Sequence, residues 1–329
     1  MEIHSLKNEI FKINSDEEFT NLTLQIFKYQ YANNSIYKMF VDNLGVNIND
    51  VSNIEQIPFL PIQFFKTHRI TCGDTPEEAV FISSGTTQQQ RSKHYILDLN
   101  LYEKSFSKGF EYFFGDISDY IIFGLLPSYL EQGNSSLVYM VEKLMIKTKT
   151  NFGGFYLNDF EKLKSDIEKV RNTDKKIMLF GVTYALLDMA NTCPINIKNA
   201  IIVETGGMKG RKEEIDREEL HKVLKKNFGV DNIYSEYGMT ELLSQAWSLK
   251  DGIFKTPPWM KVLLADTNDP LNVSAENKRG GINIIDLANI NSCSFIATQD
   301  LGKMHPDNSF EVLGRFDSSD VRGCSLMYV

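Results

Sequence analysis

The chain has 329 residues, 42% hydrophobic and 24% charged, an ordinary globular composition with room for two domains. Its 35 Lys and Arg against 43 Asp and Glu leave a net charge of −8, which disfavours non-specific binding to nucleic acid or an anionic membrane surface. The opening MEIHSLKNEIFKI lacks the apolar core of a signal peptide, and no apolar run is long enough to span a bilayer. The four cysteines, Cys72, Cys193, Cys293 and Cys324, form no CxxC pair, so neither a zinc site nor a disulfide framework is expected. A reduced, cytoplasmic protein is the simplest expectation.

Residues 16–42 read as helical, opening with Ser15 as a cap candidate and a cluster of acids. The two prolines of IPFLPIQFFKTHRI, 57–70, predict loop and extended chain. From about 118 short apolar runs alternate with helical patterns. DYIIFGLLP (119–127), KKIMLFGV (175–182), AIIVETGG (200–207) and NIYSEYG (232–238) read as strands. SSLVYMVEKLMIK, TYALLDMA and REELHKVLKKNF read as the helices between them. This alternation predicts a largely parallel sheet in an α/β fold. After about 250 only short strands follow, MKVLLAD, GGINIIDL, SFIATQDL and FEVLGRFD, broken by Gly, Asn, Asp and Pro. The expected division is an α/β core over 1–250 and a β-rich lobe over 251–329.

Three stretches carry residue types suited to chemistry. In FISSGTTQQQRSKHY (81–95), the run AVFI leads into Ser83, Ser84, Gly85, Thr86 and Thr87. Hydroxyls and free backbone N–H groups in such a loop suit phosphate oxygens, and Lys93 and His94 follow as possible positive charge. The GKS/T ending of a P-loop is missing, and a polar surface turn would look similar. In IYSEYGMTELLSQAW (233–247), Gly238 permits a tight turn, Tyr237 offers a flat face to a purine, Thr240 a hydroxyl to a phosphate, and Glu241 a hard oxygen to Mg²⁺. A helix cap would use the same residues. Finally, Asp300 in ATQDLG could accept both hydroxyls of a ribose, with Arg315 of LGRFDSSD adding a contact. A surface ion pair is the plainer alternative.

Taken together, SSGTT, YGxTE, TxD and GRxD, in this order over roughly 80–320, resemble the adenylate-forming superfamily of acyl-CoA synthetases and peptide-synthetase adenylation domains. The stretches PFLPIQFFKTHRI, LLPSYLEQGNSSLVYM, FGVTYALLDMA and ETGGMKGRKEE are similar to the LuxE-type acyl-protein synthetases, relatives of the phenylacetate-CoA ligases, over nearly the whole chain. The resemblance implies the large-domain architecture of an adenylate-forming enzyme with a β-rich C-terminal lobe. It implies a ligase that uses ATP and Mg²⁺ to convert a carboxylic or fatty acid to an acyl-adenylate and pass the acyl group to a thiol. By the same resemblance, Ser83 to Thr87 hold the β- and γ-phosphates, and Tyr237 with Gly206, Gly207 and Met208 lines the adenine pocket. Thr240 and Glu241 match the α-phosphate and Mg²⁺ ligands, Asp300 the ribose acid, and Arg315 the arginine near the hinge. Cys324 matches the acyl-carrying cysteine near the C-terminus. Taken by itself it could simply be a small residue closing the last strand, although an extended chain would let it reach roughly 30 Å from Arg315. The acyl acceptor would be a protein (a reductase, acyltransferase or acyl carrier protein) or CoA. A CoA ligase and a non-catalytic nucleotide- or carrier-binding relative are the competing readings.

The chain departs from the superfamily pattern in three places. Gln88 stands where many members have Gly, and the ribose motif reads TQD where TGD is common. Only 14 residues follow Arg315, so the small C-terminal domain and its lysine are expected to be missing, with Lys93, Arg91, Lys209 and Arg211 as candidate stand-ins.

Overall fold

A computed structural model describes residues 3–84, 90–126, 133–206, 217–267, 269–274 and 278–316. The chain opens with α1 (Ile3–Glu9), α2 (Asp16–Asn33) and α3 (Ser35–Asn43), then β1 (Leu60–Pro61), α4 (Phe64–Thr67), the hairpin β2 (Ala79–Ile82) and β3 (Lys93–Ile96), and α5 (Leu99–Phe114). The alternating stretch follows as β4 (Tyr120–Leu125), α6 (Ser136–Lys147), β5 (Gly154–Phe155), α7 (Phe160–Val170), β6 (Lys176–Val182), α8 (Thr183–Thr192), β7 (Ile201–Thr205), α9 (Arg217–Phe228) and β8 (Ile233–Tyr237). Strands then dominate: β9 (Ala246–Ser248), β10 (Ile253–Lys255), β11 (Met260–Ala265), β12 (Val273–Ser274), β13 (Arg279–Asp286), β14 (Phe295–Met304) and β15 (Phe310–Arg315).

The segment read as one helix over 16–42 is two. Ser15 caps α2 as expected, accepting from Glu18 N, but Asn34 leaves helical geometry at φ −112°, ψ 105°. Its side chain accepts from Tyr37 N and so starts α3. Asn34 keeps its N–H bond to Gln30 O and accepts from Lys38 N at its carbonyl, so one residue closes α2 and caps α3.

Two compact units emerge, and they do not follow the 1–250 and 251–329 division. One holds residues 1–105, 240–244 and 255–329; the other holds 106–239 and 245–254. The reason lies in long-range pairing that periodicity does not reveal. In the first unit β11, β13, β14 and β15 form an antiparallel sheet, with β12 on β11. The N-terminal β1 adds to it in parallel beside β14. Helix α2 is fastened there by Gln30: its amide donates to Asn289 O, Ile290 O and Ser294 Oγ and accepts from Ser294 N. Phe27, Tyr37 and Phe295 close the apolar side with ring centroids about 6 Å apart.

The second unit is the expected α/β layer. Strands β5, β4, β6, β7 and β8 pair in parallel in that order, and β9 joins β8 antiparallel. Ile121, Phe123, Leu179, Ile202 and Ile233 of the strands pack with Leu163 and Ile167 of α7, Leu186 of α8, and Leu220 and Leu224 of α9, all buried. Continuous apolar strands such as β4, buried at every position, are what a sheet covered on both faces requires.

Candidate active site

In the α/β unit, two expected nucleotide-binding residues sit at carboxyl ends of parallel strands, where ligands of such sheets gather. Gly206 follows β7 at φ +69°, a conformation an L side chain rarely adopts. Tyr237 ends β8, buried, with its ring centroid 5.8 Å from that of Phe254. Gly238 follows, and a Cβ there would collide with Glu236 Oε1.

Beneath these ends lies a polar layer that sequence reading missed. Glu204, buried inside β7, accepts from Thr183 Oγ1 and Ser235 Oγ at 2.9 Å each. Thr183 Oγ1 also reaches Gly206 O, so its one proton serves either acceptor. Thr205 Oγ1 donates to Glu236 Oε2 at 2.5 Å. Burial pushes Glu236 up to about 7; the Thr205 bond opposes this and the neighbouring Glu204 charge adds to it. Glutamates inside the runs IIVET and IYSEY were the available signal, because a buried acid needs partners.

The other motif residues lie in the first unit. Thr240 to Ser244 form an irregular segment held from four sides. His94 Nδ1 is 2.8 Å from Thr240 O; a carbonyl only accepts, so that nitrogen carries the proton. Asn289 Nδ2 donates to Glu241 O at 2.7 Å. Asp286 accepts from Leu243 N, Ser244 N and Ser244 Oγ at 2.6–2.9 Å. Trp259 Nε1 donates to Ser244 Oγ at 3.0 Å. Glu241 is thereby fixed at 5% exposure. Burial pushes its carboxyl pKa up, and a Ser92 hydrogen bond with the charges of Arg315 and Lys66 offsets part of that. A buried carboxyl with so few partners gains by meeting a cation, which ionises it fully. The donor set therefore fits Mg²⁺ that takes one carboxylate and completes its shell with substrate phosphates and water. No cluster of three acids, histidines or cysteines able to hold a metal alone exists among the described residues.

The hairpin places the remaining candidates. Ser83 N–H donates to Ser92 O at 3.1 Å, and Ser92 N–H returns to Ser83 Oγ at 3.0 Å. Ser83 and Ser84 thus begin the connection between the antiparallel strands β2 and β3. Alternation along β3 sends Lys93 and His94 to opposite faces: Lys93 is exposed, and His94 is 1% exposed against Phe65. Burial drives His94 down to about 4, with the contacts to Thr240 and Asn289 offsetting this only in part. It is neutral at pH 7 and supports the Thr240 carbonyl. Asp300 and Arg315 are cross-strand partners on β14 and β15. Arg315 Nε donates to Asp300 Oδ1 at 3.1 Å, with the Arg315 side chain 72% exposed and that of Asp300 8%. Asp300 is therefore no solvated surface acid. Gly85, Thr86, Thr87, Gly207, Met208, Lys209, Arg211 and Cys324 lie outside the described residues.

The fold is shared with adenylate-forming ligases. A 2-hydroxyisobutyryl-CoA ligase in its postadenylation state superposes with a TM-score of 0.65 at 13% identity, covering 94% of this chain and 69% of that one. ATP-bound MatB from Rhodopseudomonas palustris gives 0.54 at 13% identity, and the O-succinylbenzoate CoA synthetase MenE from Bacillus subtilis, with ATP and magnesium, gives 0.53 at 15%. The chain covers about half of each of those two, 48% and 49%. Among curated proteins, the long-chain-fatty-acid–luciferin-component ligase of Vibrio harveyi is 24% identical over 323 residues, 91% of this chain and 84% of that protein. Residues 7–328 match the family model "Acyl-protein synthetase, LuxE", and the chain belongs to that family, a class of acyl-adenylate-forming ligases.

Proposed function

We propose that this protein activates a long-chain fatty acid with ATP and Mg²⁺ and transfers the acyl group to its own Cys324 for delivery to a partner protein. The observation that carries the reading is Glu241: a carboxyl on a backbone anchored by Asn289, pushed above its ordinary pKa by burial and so poised to ionise on meeting a cation. Family membership and the Vibrio harveyi relative's fatty-acid substrate support the choice of acid.

In the first step a carboxylate oxygen attacks the α-phosphorus, and the bond to the bridging oxygen breaks. Pyrophosphate leaves with the electron pair, and no proton changes hands. Mg²⁺ would supply Lewis-acid neutralisation of the phosphate charge, with Glu241 as its protein ligand. Thr240, its carbonyl tied to His94, would present its hydroxyl to the α-phosphate. Tyr237 and Gly206 would wall the adenine, and Asp300 would accept the ribose hydroxyls with Arg315 steadying its other oxygen. In the second step a thiolate attacks the acyl carbon and AMP departs.

The other thiols are poor candidates for that nucleophile. Cys72, Cys193 and Cys293 are all buried. Burial raises each pKa, that of Cys293 to about 12, which leaves a negligible thiolate fraction at pH 7. Intact-protein mass spectrometry after incubation with ATP, Mg²⁺ and a panel of acids tests the reading. The expected result is a hydroxylamine-sensitive adduct that maps to Cys324. Cys324→Ser should keep acid-dependent ATP–pyrophosphate exchange and lose the thioester. Free acyl-CoA formed without a protein adduct would replace this reading with a CoA ligase.

A further inference from the structure

At the carboxyl end of β8 the α/β unit carries a polar corner to which adenylation gives no task. The antiparallel pairing of β8 with β9 sets Glu236 opposite Trp247 and Tyr237 opposite Ala246. One step further, the same register puts Gly238 opposite Gln245. Alternation then places Glu236, Gly238 and Gln245 on one face, and Ser235 and Tyr237 on the other. The atoms agree: a Cβ built on Gly238 would collide with Glu236 Oε1 and lie 3.3 Å from Gln245 Cγ. The bare Cα of Gly238 thus leaves the acid and the amide as neighbours, on the face away from Tyr237.

Both polar groups are short of partners. Glu236 is partly buried, and its Oε2 accepts from Thr205 Oγ1 at 2.5 Å. No donor among the described residues reaches its Oε1. Gln245 is 7% exposed, and its amide has no hydrogen-bond partner among the described residues. A buried amide in that position costs free energy until a partner offsets it. The same face is aromatic further in. Trp247 lies 5.0 Å from Phe114 and 6.1 Å from Phe180, and Tyr234 lies 6.0 Å from Phe114, centroid to centroid. Two polar groups at the edge of an apolar face suit a ligand that is mostly hydrocarbon with one polar substituent.

The count of donors and acceptors selects the substituent. Glu236 Oε1 lacks a donor, and Gln245 Nε2 lacks an acceptor. A single hydroxyl answers both, donating to the acid and accepting from the amide. A carboxylate has no proton to give. Burial and the Glu204 charge already resist ionisation of Glu236, so a second anion beside it is unwelcome. A carboxylate that borrowed the Glu236 proton would also be a weak nucleophile toward phosphorus, so the reacting group belongs elsewhere. A plain methylene would satisfy neither polar group and would seal both from water.

We propose that Glu236 and Gln245 form a binding site for a hydroxyl on the carbon chain of the acid, so that the enzyme selects a hydroxylated fatty acid over its plain counterpart. The proposal rests on the adenylation reading above and narrows its substrate.

The test is acid-dependent ATP–pyrophosphate exchange by the full chain with dodecanoate and its monohydroxy isomers, beside calorimetric titration of the same acids without nucleotide. At least one isomer should exceed dodecanoate by about tenfold or more in kcat/KM and in affinity, the scale of a hydrogen bond left unmade in a buried site. Gln245→Leu removes the amide at similar volume, and the ratio of hydroxylated to plain acid should fall toward one. Glu236→Leu should act in the same way. Glu236→Gln, which keeps an acceptor for the hydroxyl, should retain most of the preference. Each ratio is taken within one variant, so a loss of active protein cancels, and thermal melting confirms that each variant folds. A wild type that prefers dodecanoate to every isomer overturns the proposal. So does a preference for the hydroxyl that survives Gln245→Leu, and so does a stronger preference for an amino-substituted dodecanoate. Absence of exchange with every acid overturns adenylation, while Gln245-dependent binding of a hydroxy acid would still uphold the site.

Discussion

Glu241 and His94 occupy adjacent places in the first unit and have opposite needs. Glu241 is uncomfortable as a bare anion because burial outweighs its partners. Glu241→Gln should therefore fold normally, with little change in melting temperature. Acid-dependent exchange should fall by about two orders of magnitude or more, since an amide is a poor Mg²⁺ ligand and several kcal/mol of transition-state stabilisation go with the metal contact. An exchange assay across Mg²⁺ concentrations reads this directly. His94 must remain neutral in the fold, with its pKa lowered to about 4 from an ordinary 6.5. A depressed folded-state pKa gives stability that is fully present above the unfolded value. That stability drains away as pH falls from about 6.5 toward 4, by an amount on the order of 3 kcal/mol. Denaturant titrations at pH 7.5 and 5 should show the loss in wild type. His94→Gln, which keeps a donor for Thr240 O, should show a visibly flatter profile.

At the scale of elements, the site depends on helices and loops distant in sequence. The Gln30 amide of α2 shares its two protons among three acceptors and accepts from Ser294 N, all within residues 289–294, the turn that also supplies Asn289 to the Glu241 carbonyl. Gln30→Ala would strand a buried amide and buried carbonyls in a place water does not reach. The expected destabilisation is about 2–4 kcal/mol, measured by urea unfolding. Because Asn289 stands on the same turn, the loss of Gln30 should also reduce exchange in the fraction that remains folded. Gln30→Glu, which replaces the donating amide with acceptors, should be at least as harmful.

For the whole molecule, the thiols give a single-experiment readout. Any label that native protein takes from a brief exposure to a maleimide at pH 7 should map to Cys324, because Cys72, Cys193 and Cys293 are buried with raised pKa values. In denaturant all four should react. Pre-incubation with ATP, Mg²⁺ and a suitable fatty acid should block the native label, and hydroxylamine should restore it. Peptide mapping distinguishes this from labelling of a described cysteine. No helix among the described residues is long and apolar enough to cross a membrane.

The sequence by itself determined the local elements. β4, β6, β7 and β8 fall within their apolar runs, and α9 runs over the stretch Arg217–Phe228 that its pattern marked. Period and capping chemistry are properties of neighbouring residues, which a sequence displays directly. It also singled out Thr240, Glu241, Asp300 and Arg315 as expected site residues, since motif order is displayed in one dimension. Tertiary structure alone decided how the chain divides, because the parallel pairing of Leu60–Pro61 with Ile296–Ala297 joins segments more than 230 residues apart. It also decided the face of each site residue. A hairpin left Lys93 exposed and turned His94 into the core, although they are adjacent in sequence. The buried supports Gln30, Glu204, Asp286 and Asn289 carry no motif, because what makes each necessary is an unpaired backbone or hydroxyl group elsewhere in the chain. Such a need exists only once the chain has folded and water has been excluded.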